Sequence, residues 1–126
     1  MENPIKVLLA EDDKLLSEVF TRDLENAGYP VIHAFDGDEA LSLAKSEHPD
    51  VILLDIIMPN KNGFEVLKEL QENEILKNIP VIVLSNLGEK EDVDAAIGLG
   101  AKSFLVKSDS SMNTIVAKIQ EVLSPV

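Results

Sequence analysis

Four short apolar runs in this chain each end in a residue able to do chemistry. Ile5 to Ala10 is followed by Glu11-Asp12-Asp13, Val51 to Leu54 by Asp55, Val81 to Leu84 by Ser85, and Ser103 to Val106 by Lys107. Asp55 is the hardest to explain as ordinary packing, because Ile56-Ile57-Met58 carry the apolar run past it before Pro59 closes it. An unpaired buried carboxylate is strongly unfavourable, so position 55 of a plain core would be Val, Ile or Leu. Either Asp55 emerges from the core, or something compensates it. Taken singly, the other stations have ordinary explanations: Asp12 or Asp13 as a helix cap, Ser85 as a loop hydroxyl, Lys107 as a solvated charge. Taken together they are a set of carboxylates, one hydroxyl and one ammonium. Three carboxylates in one pocket repel one another unless a cation intervenes. Oxygen-only ligands without cysteine point to Mg²⁺, which takes one or two carboxylates, keeps waters and bridges to phosphate oxygens. What remains is a carboxylate nucleophile, with a lysine and a hydroxyl for phosphoryl oxygens. That combination is a phosphoryl acceptor.

Such a set works only if the chain brings the four run ends together. The runs named above, with Val31 to Ala34 as a fifth, read as strands, and three of them are almost wholly aliphatic, as expected for strands buried on both faces. Between them the apolar residues recur at helical spacing. Leu15, Leu16, Val19, Phe20, Leu24 and Ala27 mark the first helix, stopped at Gly28 where a left-handed cap would sit. Shorter patterns follow at Asp38 to Ser46, Gly63 to Glu72, and Glu89 to Leu99 with Val93, Ala96 and Ile97. Met112, Ile115, Val116, Ile119, Val122 and Leu123 form the clearest stripe. Five strand-then-helix repeats predict an α/β fold, a doubly wound five-stranded parallel sheet of order 2-1-3-4-5 and flavodoxin-like architecture. In that order the first, third, fourth and fifth strands are neighbours, and ligands bind beyond their carboxyl ends. The second run ends in Ala34-Phe35 and offers nothing comparable.

The chain's bulk properties fit this reading. Its 126 residues are read as a single domain, 1–126, with Pro125 ending the last helix. With 45% hydrophobic and 27% charged residues it has the balance of a folded globule, and with no cysteine it has neither disulfides nor thiol chemistry. No apolar run approaches the roughly 18 residues of a spanning helix, and Met1-Glu2-Asn3-Pro4 lacks a signal-peptide layout, so a cytoplasmic location is expected, without membrane association. A formal charge of −12 repels nucleic acid and anionic membranes and favours cations and basic surfaces. Arg22 is the sole arginine, so forked base and phosphate contacts to DNA have almost no residues to make them.

The motifs that carry these residues resemble the receiver domain of two-component response regulators, of the chemotaxis-receiver type, over essentially the whole chain. They are Val7-Leu8-Leu9-Ala10-Glu11-Asp12, Ile52-Leu53-Leu54-Asp55-Ile56-Ile57-Met58-Pro59 with Gly63, Pro80-Val81-Ile82-Val83-Leu84-Ser85, and Gly100-Ala101 through Phe104-Leu105-Val106-Lys107. The resemblance implies that Asp55 accepts a phosphoryl group from a histidine kinase or histidine phosphotransfer protein, forming an aspartyl phosphate. It implies Mg²⁺, or Mn²⁺ in its place, held by Asp12, Asp55 and the backbone carbonyl of Ile57, with Glu11 acting through water. Asp13 is left as a helix cap. Ser85 and Phe104 match the family's switch pair, and Lys107 its lysine. Such a domain is no enzyme beyond catalysing its own phosphorylation and dephosphorylation. Its output passes to a downstream protein through the face of the fourth helix, fifth strand and fifth helix, and a monomer is expected when unphosphorylated.

Five positions depart from the family pattern. Ser108 replaces the proline that usually follows the lysine through a cis bond, and since a non-proline cis bond costs about 3 kcal/mol, Lys107-Ser108 is expected to be trans. Asn86 follows the switch hydroxyl, where Ala or Gly is usual, and its side chain is expected to cover the pocket in part or to hydrogen-bond the phosphoryl group. Ile57 and Leu87 flank the route of an attacking water and cannot orient one, which predicts a long-lived phosphoryl group. Phe104 cannot hydrogen-bond at the surface as a tyrosine would, which favours its burial. Three other readings compete. A phosphorylation-independent interaction module would keep the surface and lose the chemistry. An FMN-binding flavodoxin-like protein would need a Ser/Thr/Gly-rich loop where Glu11-Asp12-Asp13 stands, and a phosphatase with its aspartate after the first strand would want an Asp-x-Asp pattern.

Overall fold

The computed structural model describes residues 4–124, so Pro125 lies outside the described residues. In chain order the elements are β1 (Val7–Ala10), α1 (Lys14–Asn26), β2 (Val31–Ala34), α2 (Gly37–Glu47), β3 (Val51–Leu54), α3 (Gly63–Glu72), β4 (Val81–Ser85), α4 (Lys90–Gly98), β5 (Ser103–Val106) and α5 (Met112–Leu123), with 3₁₀ turns at Leu76–Asn78 and Lys107–Asp109. All four strand pairings are parallel, and the order is β2-β1-β3-β4-β5, as the alternating pattern predicts. The first strand begins two residues later than the Ile5 start read from sequence. Its neighbours fix that start: Val7 pairs with Val31 and Val51, and the preceding Pro30 and Asp50 take part only through loop bonds.

Period-two alternation divides the aliphatic strands between two cores. Leu8, Ala10, Ile52, Leu54, Val81 and Val83 pack with Leu41, Ala44, Val66, Leu67, Leu70 and Ala96, so α2, α3 and α4 cover one face. Val7, Leu9, Val51, Leu53, Ile82 and Leu84 pack with Leu24, Ile115 and Ile119, so α1 and α5 cover the other. The strands β1, β3 and β4 are buried throughout, which is why they carry no alternating polar residues. Two helical patterns are shifted from their sequence reading. Leu15 in the first turn of α1 is 73% exposed while Ser17 is buried, its hydroxyl donating to the Lys14 carbonyl at 2.8 Å. Ile97 sits at the margin of the α4 stripe and stays 46% exposed.

Helix ends are set by local chemistry. Asp13 caps α1, its Oδ1 accepting from the Leu16 amide at 3.0 Å, and the chain reverses through Gly28 at φ +98°. Asp36 caps α2 and Ser111 caps α5, while Asn62 and Glu65 form a reciprocal box on α3. Gly63 opens α3 where no side chain fits, since a Cβ there would lie 2.5 Å from the Asp55 carbonyl oxygen and 2.7 Å from the Ile56 Cα. Gly98 has nothing within 4 Å of its Cβ direction. Gly63→Ala is therefore expected to lose about 2 kcal/mol to backbone collision. Gly98→Ala is expected to gain about 0.5 kcal/mol from helix propensity and a less flexible unfolded chain. Urea denaturation of both variants checks the pair, and equal effects would contradict this assignment of space.

Candidate functional site

The parallel ladder runs on just past the strand ends and places the acidic residues side by side. The Glu11 amide donates to the Ala34 carbonyl and the Asp55 amide to the Ala10 carbonyl, each at 3.0 Å. Glu11 and Asp55 are thereby fixed at the rim of adjacent strands, and both are buried, at 2% and 6% exposure. Asp12 turns outward into solvent. One carboxylate oxygen from each of Glu11, Asp12 and Asp55 lies within 4.8 Å of the others. Asp55 thus emerges from the central strand into an acidic crevice.

Compensation comes from the far edge of the sheet. Lys107 extends its ammonium between two carboxylates, donating to Asp55 Oδ2 at 2.8 Å and to Glu11 Oε1. Glu11 also accepts from the Asp13 amide at 3.1 Å, and Asp55 Oδ1 is 3.4 Å from the Ile57 amide. Burial pushes the Glu11 carboxyl above its usual range, and the Lys107 bond only partly opposes this. For Lys107, burial favours the neutral amine, but hydrogen bonds to Asp55 and Glu11 outweigh it and hold the ammonium above its ordinary value. One ammonium therefore pairs with two of the three carboxylates, and Asp12 is left to solvent. Ser85 is buried at the same rim, its Oγ accepting from the Leu87 amide at 3.3 Å.

A cleft of about 370 Å³ joins Glu11, Asp12, Asp55, Ile57, Ser85, Asn86 and Lys107, so most of the residues singled out in the sequence line one space. A larger groove of about 470 Å³ runs along α1 beside His33 and Phe35, away from these acids. Ile57 stands at the mouth of the cleft, 61% exposed. Leu87 is not among the lining residues. Its side chain packs on the apolar core beneath α2–α4, as does half-buried Phe104. Asn86 lines the cleft but is engaged elsewhere: its Oδ1 accepts from the Ser108 amide at 3.2 Å. The Lys107-Ser108 bond is trans, in accord with the sequence expectation, and opens the 3₁₀ turn Lys107–Asp109.

Other contributors were not singled out from sequence. The ring Nε2 of His33 donates to the Glu11 carbonyl at 2.8 Å, buttressing the backbone beside the acids. Beyond Asp55, the loop returns through Asn60 at φ +70°, whose amide nitrogen donates to Asp36 Oδ2 at 2.9 Å. The dipeptide Pro59-Asn60 signals a turn, and Asp36 with Glu39 three residues on signals a cap. No local pattern tells that the two meet.

The sequence model described as response regulator receiver domain matches residues 7–120. The chain is 38% identical over 101 residues to the polar-differentiation response regulator DivK of Brucella ovis, covering 80% of this chain and 82% of that protein. It is 33% identical over 118 residues to the alkaline phosphatase synthesis transcriptional regulatory protein PhoP of Bacillus subtilis, covering 94% of this chain and 48% of that one. The chain thus spans about half the length of several of the curated relatives it matches, PhoP among them. The solved receiver domain of the Francisella response regulator 1452 superposes with a TM-score of 0.88 at 35% identity, over 96% of this chain and 97% of that one. With the sheet order and the acidic rim already in place, these matches settle the family: the chain belongs to the receiver domains of two-component response regulators.

Proposed function

We propose that Asp55 is the phosphoacceptor of a single receiver domain, taking its phosphoryl group from a histidine kinase or histidine phosphotransfer protein. The observation that carries this reading is the Asp55 carboxylate at the end of the central strand, 2.8 Å from the Lys107 ammonium and beside two further acids. A carboxylate oxygen of Asp55 attacks phosphorus, the O–P bond forms, and the N–P bond to the donor imidazole breaks, leaving histidine to take up a proton. Lys107 neutralises one phosphoryl oxygen, and the Ser85 hydroxyl donates to another. The Oγ that would donate also accepts from the Leu87 amide, so its position is coupled to the loop ahead of α4. Phe104, packed on the α2–α4 core, is the aromatic partner of that movement.

The donor set fits a hard divalent cation: oxygen ligands only, clustered within 4.8 Å, with Asp12 open to solvent. Asp12, Asp55 and the Ile57 carbonyl would hold Mg²⁺ or Mn²⁺ directly and Glu11 through water. The ion, when bound, offsets carboxylate repulsion and draws charge from the phosphoryl group. The signal then leaves through the α4, β5 and α5 face to a downstream protein, from a chain that is monomeric when unphosphorylated. Among the described residues no helix is long and apolar enough to cross a membrane.

Incubation with Mg²⁺ and acetyl phosphate is expected to add one phosphoryl group, mapped to Asp55 by mass spectrometry. Asp55→Asn should abolish labelling. A parent chain that stays unlabelled overturns the proposal in favour of an interaction module. Asp12→Asn tests the cation separately: with one repulsive charge gone, the metal-free protein should gain about 1 kcal/mol in urea denaturation. Mg²⁺ at one hundred times its dissociation constant should stabilise the parent by about 2.7 kcal/mol and leave the variant unmoved. Lifetime is the third test. Neither Ile57 at the mouth nor Leu87 on the apolar core can orient a water, so the double variant Ile57→Asn, Leu87→Glu should lose its phosphoryl group about tenfold faster than the parent. A parent that decays as fast as the variant contradicts this.

A further inference from the structure

The loop that follows Asp55 is fastened to an element that gives the cleft no ligand. At its tip Asn60 Nδ2 donates to Asp36 Oδ2 at 2.9 Å, and the Pro59 carbonyl accepts from the Lys61 amide at 2.8 Å and from the Gly37 amide at 3.5 Å. Gly37 makes the approach possible, since a Cβ there would lie 2.1 Å from the Lys61 carbonyl oxygen. Asp36 divides its two oxygens between two tasks. Oδ1 caps α2 by accepting from the Glu39 amide at 2.8 Å, and Oδ2 is left for Asn60. Capping alone needs one oxygen, which a serine would supply. Asn60 holds a left-handed backbone, φ +70°, that glycine adopts more easily, so what asparagine adds at this position is its amide.

Between this fastening and the end of β3 lie Ile56, Ile57 and Met58. Ile56 and Met58 are buried, and the Ile56 carbonyl accepts from the Gly63 amide at 2.7 Å. Ile57 alone has an unanchored side chain, so its peptide is set by the residues on either side.

We infer that Asp36 and Asn60 are positioning residues: their hydrogen bond clamps the loop after Asp55 to the start of α2 and so fixes the Ile57 peptide for the cation. This rests on the assignment of the Ile57 carbonyl as a ligand in the proposed function. The clamp reaches the site only through the loop backbone, as outer partners of metal ligands commonly do.

The test uses the full chain with Asn60→Gly, which keeps the backbone conformation, Asp36→Ser, which keeps the cap, and the double variant. Mg²⁺ affinity is read by isothermal titration, and amide hydrogen exchange is followed at Ile57, Lys61 and Gly63. Each single variant is expected to bind Mg²⁺ roughly tenfold more weakly, and the double variant no more weakly than either single one. Exchange at Lys61 should quicken while the thermal midpoint barely moves. Unchanged affinity in both single variants, or losses that simply add in the double, would overturn the clamp while leaving the metal site standing. A parent chain that binds no Mg²⁺ overturns the site reading and this inference with it.

Discussion

The structure is organised around an imbalance of charge: three carboxylates gather at one rim of a parallel sheet, and the Lys107 ammonium pairs with two of them, Glu11 and Asp55. Sheet geometry explains how that ammonium arrives. Adjacent strands lie about 4.8 Å apart, so from the end of β5 to the end of β3 is about 10 Å, within the combined reach of a lysine and an aspartate. The strand between them ends in Ser85, a side chain small enough to leave the span open. Lys107 then meets both Asp55 and Glu11 and serves as the internal counterion that the apolar surroundings of Asp55 demand. The remainder of the fold must tolerate a site still short of positive charge, and the two apolar faces of β1, β3 and β4 supply the burial that allows it.

The same imbalance gives the site its responsiveness. On the proposed reading, a cation would lower the repulsion, and a phosphoryl group on Asp55 would raise it again and compete for the lysine that bridges Glu11 and Asp55. Acceptance of the group would draw Lys107 from its two carboxylates, while the Ser85 hydroxyl, which accepts from the Leu87 amide, keeps its proton to donate. A shift of Lys107 would pull on the segment that leads to α5, and a shift of Ser85 on the loop that leads to α4.

Legibility in the sequence followed the range of the interaction. The strands β1, β3 and β4 stood out because they are aliphatic on both faces, and the strand order followed from strict alternation and right-handed crossovers. The four polar stations were readable because parallel α/β sheets gather ligands at one rim. Asp13 was readable as a cap because its partner is three residues away. Pairings that span the fold were hidden. Asn86 lines the cleft, but the bond its carbonyl accepts from the Ser108 amide, a donor that a proline at 108 would have lacked, could not be read from sequence. Asp36 and Asn60, 24 residues apart, meet only because α2 and the loop after β3 share one corner. Leu15 and Ser17 reverse the hydrophobic order of α1 because Ser17 satisfies its hydroxyl on the helix itself, whereas nothing covers Leu15 in the first turn.

The fastening of the molecule is uneven around the cleft, and the unevenness has a direction. On the side of β1 and β3, strands are wholly buried, helix starts are capped by side chains, and the loop after Asp55 is tied to α2. On the other side, α4 is nine residues long, follows Glu89 with no side-chain cap and buries only Ala96, and all four residues of β5 are half-buried. Local opening concentrates where few apolar contacts and few capping bonds hold an element. A rearrangement begun at Ser85 or Lys107 therefore meets least resistance in α4 and β5. On the proposed reading, the acidic side would hold a cation in one geometry while the other side yields. A receiver that must keep its chemistry fixed and its surface changeable needs that division, and here it follows from where the caps and buried residues fall.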